Sequence, residues 1–180
     1  SILADGSKAA AAKIGKGSEK FAMHIKGLEL PGYDPRGLKP HGLRFATSYT
    51  GAAHNRGYSS QDVFGSPVPE PSDRLNPKGK GRMTKWNQDM RAVASDCATM
   101  CNFLMDAYFP EGDAKNTADM VNAVTGFDYT VEEVEMIGER VTNIARVFNV
   151  REGFDRKDDT FPERILTEPL KDGPSKGNYI

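Results

Sequence analysis

The sequence has no run of about 18 apolar residues, so no segment of it reads as a membrane-spanning helix. Its Ala-rich opening, Ala4 to Ile14, carries Asp5, Lys8 and Lys13, which argues against a secretory core there and leads us to expect a cytoplasmic protein. It also lacks a charge excess: 24 Lys and Arg against 25 Asp and Glu leave −1, too little positive charge to neutralise phosphates along a duplex. Nucleic acid and membrane are therefore not expected as partners. Cysteine is scarce, with only Cys97 and Cys101, so there is no disulfide framework. The three histidines, at 24, 41 and 54, have no metal-ligand spacing. No internal repeat is present, and no alternating run is long enough for a real sheet.

What the 180 residues do contain is enough chain for one domain with a core. Charge is unevenly spread: residues 1–60 hold nine Lys and Arg against four acids, whereas residues 111–180 hold nine against fifteen. Ala and Lys favour a helix from Leu3 to Ile14, stopped by Gly15 and Gly17. Ser18 with Phe21, Ala22 and Ile25 suggests a further turn or short strand. Pro31, Pro35 and Pro40 predict a shaped loop from Gly27 to Gly42, followed by a helix from Leu43 to Ala53. A second Pro-rich loop is expected from Gly57 to Gly81.

Thr84 is placed as the N-cap of a helix whose face Trp86, Met90, Val93 and Cys97 should be buried. The apolar stretch 101–109, with Phe103, Leu104, Met105, Tyr108 and Phe109, precedes Pro110. A shorter helix is predicted from Thr117 to Val124, closed by Gly126. Thr130 and Glu133 form a capping box for the clearest helix, which runs through Val131, Val134, Ile137, Val141, Ile144, Ala145 and Phe148. The polar tail after it should wrap over the surface. The fold class is all-α: a multihelical domain with long Pro/Gly-rich loops.

Few residues offer chemistry. Cys97 and Cys101 at i and i+4 on a helix would hold their Cβ atoms about 5–6 Å apart, against about 3.8 Å in a disulfide. Cys97 reads as a core residue, and Cys101 as an inert thiol, a reactive thiol or a ligand. His54 follows the small residues Gly51-Ala52-Ala53, which let backbone approach a ligand, and imidazole titrates near neutrality. It reads either as a functional histidine or as a surface residue at a helix end.

Longer motifs say more. Ile14-Gly15-Lys16-Gly17-Ser18-Glu19-Lys20-Phe21-Ala22, the stretch HIKGLELPGYDPRG from His24 to Gly37, Gly51-Ala52-Ala53-His54-Asn55-Arg56-Gly57, and FNVREGFDRKDD from Phe148 to Asp159 resemble the tungsten-containing aldehyde ferredoxin oxidoreductase family. The likeness spans nearly the whole chain and implies the family's C-terminal helical domain over residues 1–180. The N-terminal pterin-binding domain and the middle helical domain would lie in other polypeptide.

By the same resemblance, Asp96 to Cys101 matches the family's Asp-x-x-Gly-Leu-Cys motif, making Cys101 a thiolate ligand of a 4Fe-4S cluster and Asp96 a pterin contact. Thr99-Met100 stands where the family usually has Gly-Leu. His54 maps onto the catalytic histidine beside the metal and substrate, and Arg56, Lys26 and Arg36 become candidate pterin contacts. The implied cofactors are a tungsten or molybdenum bis-pyranopterin and the 4Fe-4S cluster. The implied partners are the enzyme's remaining domains, ferredoxin and a small aldehyde, with a homodimer as a further arrangement. The chain alone should be inactive. Alternatives are a domain of a benzoyl-CoA reductase-type catalytic subunit and a non-catalytic helical interaction module.

Overall fold

A computed structural model describes residues 2–108 and 113–180. Phe109 and Pro110, which the sequence places at the end of an apolar stretch, lie outside the described residues. Eight α-helices and a single two-stranded sheet appear among them, so the chain is all-α as expected. The helices are α1 (Gly6–Ile14), α2 (Lys39–Thr47), α3 (Ser60–Val63), α4 (Lys80–Arg91), α5 (Asn102–Tyr108), α6 (Asp113–Thr125), α7 (Val131–Arg151) and α8 (Glu163–Thr167). The strands β1 (His24–Ile25) and β2 (Leu28–Glu29) pair antiparallel, Ile25 opposite Leu28. No helix among the described residues is long and apolar enough to cross a membrane.

Two cores organise the molecule around α4. On one side α4 packs on α7, and Met90, Val93, Ala114, Ala118 and Val134 form an apolar cluster that Trp86, Tyr129 and Ile137 extend. The crossing is close because Gly138 has no side chain: a Cβ there would land on the Asp89 carbonyl. Thr130 Oγ1 accepts from Glu133 N–H while Glu133 Oε2 accepts from Thr130 N–H, so the capping box fixes the start of α7. On the other side α4 packs on α2, and Ile25, Phe45 and Ala52 form a second cluster with Leu30, Tyr33 and Phe161. Phe161 comes from the tail, which wraps the surface: Lys39 Nζ donates to the Tyr179 carbonyl at 3.0 Å.

Three elements depart from the sequence reading. Helix α2 begins at Lys39 and ends at Thr47, because Pro40 falls in its first turn, where no backbone N–H is needed. The expected helix from Leu43 to Ala53 is thus displaced upstream, and residues 48–53 form turns. Helix α4 starts at Lys80 behind Gly79, so Thr84 is an interior, buried residue and not an N-cap. The most consequential departure follows Arg91, where Ala92–Cys97 widens into a π-helical turn and Ala98 N–H donates to the Val93 carbonyl at 3.0 Å. The wider turn shifts the helical phase, so Trp86, Met90 and Val93 face the core while Cys97 is exposed; the core assignment of Cys97 is corrected.

Candidate functional site

The π-helical turn delivers residues 96–101 to the surface beside the loop 49–57. Cys101 is exposed, and its carbonyl accepts from Met105 N–H at 3.1 Å as α5 begins. With Asp96, Arg56, Asn55, Asn102 and Phe103 it lines an open cavity of about 550 Å³. π-Helical turns inside α-helices recur at functional sites because they re-aim side chains at little cost to the rest of the helix.

A polar network ties the two segments together. Arg56 and Asp96 form an ion pair, and the Tyr49 hydroxyl donates to Asp96 Oδ2 at 2.8 Å. The Arg56 guanidinium also lies over the Tyr49 ring, 5.5 Å from its centroid. Burial, with the bond to Asp96, pushes the Tyr49 phenol up to about 12, so it stays a hydrogen-bond donor. Asn149, from the FNVREGF motif, donates to the Tyr49 carbonyl at 2.7 Å, and Asn102 donates to the Asn55 carbonyl at 3.3 Å. Sequence reasoning did not single out Tyr49, Asn102 or Asn149. Asn149 carried a signal through its motif, whereas Tyr49 and Asn102 carried none.

His54 sits between Ala53 and Asn55, both of which line the cavity, and is itself half-buried against Tyr33, with ring centroids 5.8 Å apart. Burial first, and then the positive charge of Arg44, lowers its pKa below the ordinary imidazole value of 6.5. Behind it lies a cluster of rings and cations. His41 is fully buried among Tyr33 (5.6 Å), Tyr58 (4.9 Å) and Phe45 (6.1 Å), with neither ring nitrogen hydrogen-bonded. Burial drives its pKa down to about 2, so it is neutral at any physiological pH.

The structure thus brings Arg56, Asp96 and Cys101 into one cavity with His54 on the adjoining loop. Lys26 and Arg36 lie elsewhere. The buried Lys26 ammonium pairs with Asp159 at 2.8 Å and donates to the Ala46 carbonyl, and Asp159 is also held by Arg146. Arg36 chelates Asp34 and donates to the Glu168 carbonyl at 2.8 Å.

The donor set bears on the cofactors. Among the described residues no group of three or more His, Cys, Asp or Glu could hold a metal ion. A four-iron cluster takes about four thiolates, and this chain has two exposed cysteines, of which Cys101 lines the cavity and Cys97 does not. Toward a pterin, Arg56 keeps spare donors and Asp96 spare lone pairs beyond their mutual bond. Thr99 has φ +56°, so the chain keeps at this position the left-handed shape that glycine adopts without strain.

The helical fold thus sets one thiol, just beyond a π-helical turn, in the lining of an open cavity beside an ion pair and a histidine loop. The chain belongs to the aldehyde ferredoxin oxidoreductase family: the family model for domains 2 and 3 matches residues 1–180. It is 41% identical over 167 residues to the tungsten-containing aldehyde ferredoxin oxidoreductase of Thermococcus kodakarensis, covering 91% of this chain and 26% of that protein. It is 40% identical over 181 residues to the enzyme of the same name from Pyrococcus furiosus, covering 99% of this chain and 28% of that protein. The chain therefore spans about a quarter of the length of the curated relatives it matches.

Proposed function

We propose that this chain is the C-terminal helical domain of a cytoplasmic tungsten- or molybdenum-pterin oxidoreductase that oxidises aldehydes to carboxylic acids and passes the electrons through a 4Fe-4S cluster to ferredoxin. The observation that carries the reading is the shared cavity of Cys101, Asp96 and Arg56, in a chain with one exposed thiol there and no complete metal site among its described residues. The rest of the site, including the pterin-binding domain and the middle helical domain, would come from the remainder of the enzyme. When bound, the metal–pterin centre supplies oxygen transfer and accepts two electrons per aldehyde.

The chain's own residues take simpler parts. Cys101 Sγ ligates the cluster as a thiolate, which its exposure at the cavity rim permits. Asp96 and Arg56, held by each other and by Tyr49, present one acceptor and one donor face to the pterin. His54, neutral at pH 7, takes up the proton released when an aldehyde and water become a carboxylic acid, a role worth roughly 10²–10⁴-fold in rate. Lys26 and Arg36 act on the pterin only through the shape of the loops they brace.

Two measurements test the reading. The complete protein, loaded with metal and iron, should reduce ferredoxin or a viologen dye when given small aldehydes, and no aldehyde-dependent reduction would refute the assignment. The 180-residue chain by itself should bind neither stoichiometric tungsten nor a stable cluster; full loading of this chain alone would show that the site is not shared.

A further inference from the structure

The side chain of Asn102, at the start of α5, is where the segments around the cavity meet, and both polar atoms of its amide are engaged. Arg91, the buried last residue of α4, donates through Nη1 to the Asn102 carbonyl at 3.3 Å and reaches Asn102 Oδ1 at 3.5 Å. Its Nη2 pairs with the enclosed carboxylate of Asp106, so a buried ion pair locks α5 to the end of α4. Ser95, inside the π-helical turn, donates its hydroxyl to the same Oδ1. From the other edge of the amide, Nδ2 donates to the Asn55 carbonyl at 3.3 Å. These partners fix which way the amide faces: a guanidinium only donates and a carbonyl only accepts, so the oxygen must look toward Arg91 and the nitrogen toward Asn55.

The neighbours of the bonded residues give this junction its meaning. Asn102 directly follows Cys101, and Asn55 stands between His54 and Arg56. The Arg56–Asp96 ion pair also ties the loop to the thiol segment, but Asp96 lies five residues before Cys101, across the left-handed turn at Thr99. Asn102 makes its tie one residue from the thiol and one residue from the imidazole. Groups that orient a ligand without touching the metal are typically worth about 10–100-fold in affinity or activity.

We propose that Asn102 is a positioning residue that latches the Cys101 segment to the His54 loop, so that cluster ligand and proton acceptor keep one spacing. The proposal rests on the roles given above to Cys101 and His54, but the latch is a property of this chain and is measurable without turnover. Asn102→Asp separates positioning from folding. It keeps the side chain's shape and the oxygen that faces Ser95, and adds an opposite charge beside Arg91, yet sets an oxygen against the Asn55 carbonyl. Amide hydrogen exchange of the 180-residue chain reads the result: in Asn102→Asp and in Asn102→Ala residues 53–56 exchange about tenfold faster, the loss of one hydrogen bond, while α7 keeps its native rate. Ser95→Ala, which removes a bond to Oδ1 and none to the loop, moves the same amides by less and adds nothing in the Asn102→Ala background.

Native exchange at residues 53–56 in a folded Asn102→Asp variant overturns the proposal. If neither Asn102 variant folds, Ser95→Ala decides, and native exchange there overturns it. In the complete protein Asn102→Asp keeps native iron, because Cys101 is still present, but changes the electron paramagnetic resonance spectrum of the reduced cluster and lowers kcat about 10–100-fold at unchanged aldehyde KM. A residue needed only for folding would leave spectrum and kcat alone, so a native value of either overturns the latch. Failure of the underlying reading looks different: native iron in Cys101→Ser, or native kcat in His54→Ala, would overturn the roles of those residues while the exchange data left the Asn102–Asn55 tie standing.

Discussion

The two sides of α4 are built on opposite terms. Toward α7 the contacts are apolar and close: Met90, Val93 and Val134 are buried together, Gly138 lets the backbones approach, and a capping box sets the helix start. Toward α2 the interior holds Arg44, His41 and Ser59, all fully buried and all with polar atoms that no hydrogen bond satisfies. Orphaned polar groups of this kind destabilise by about 1–3 kcal/mol each. Asp89 and Thr117 also bury an unpartnered oxygen toward α7, so the contrast lies in the enclosed guanidinium and neutral imidazole that the α2 side holds next to a cavity. Substitutions in the apolar cluster and at the α7 cap should only destabilise, whereas some among the orphaned polar groups of the second side should stabilise.

The largest expected effect lies at the α4–α7 crossing. Gly138→Ala drives a methyl group into the Asp89 carbonyl, and urea unfolding should show a loss of about 3 kcal/mol. Next comes the acid response of the other half. Below pH 6.5 the unfolded chain protonates His41 whereas the folded chain does not until about pH 2, so stability falls as pH drops through that window. The slope is about 1.4 kcal/mol per pH unit from this residue. His41→Phe, of similar shape and without orphaned nitrogens, should flatten that acid loss and leave neutral stability unchanged or raised, as melting at pH 5 and pH 7.5 would show.

Smaller effects sharpen the same contrast. Thr130→Ala removes a cap from the packed side and should lower stability by about 1 kcal/mol. Thr99→Gly relieves a β-branched residue at φ +56° on the site side and should raise it by about 1 kcal/mol. A loss from Thr99→Gly, or a gain from Thr130→Ala, in denaturant titrations would break the division between the halves.

Much of the packed half was legible in the sequence because its signals are local. Thr130 and Glu133 announce their reciprocal bonds three residues apart, and the apolar period from Val131 onward needs no knowledge of the partner helix. The site half was legible mainly through motifs. The resemblance singled out Cys101 and His54, but the phase change that turns Cys97 outward depends on a π-helical turn that residue periodicity does not encode. Arg44, His41 and Tyr49 acquire their environments from segments far along the chain, such as Tyr49 from Asp96 and Asn149, so no window of sequence displays them. Lys26 looked free for a ligand because Asp159, which holds it, lies more than a hundred residues away.

The proposal that Cys101, four residues beyond the π-helical turn, completes a cluster held mostly by other polypeptide is tested most directly by iron analysis and electron paramagnetic resonance of the reduced complete protein. Cys101→Ser should lose the four-iron signal while Cys97→Ser, changed four residues away on the same segment, keeps native iron and spectrum. Native iron content and an unaltered signal in Cys101→Ser would contradict the account.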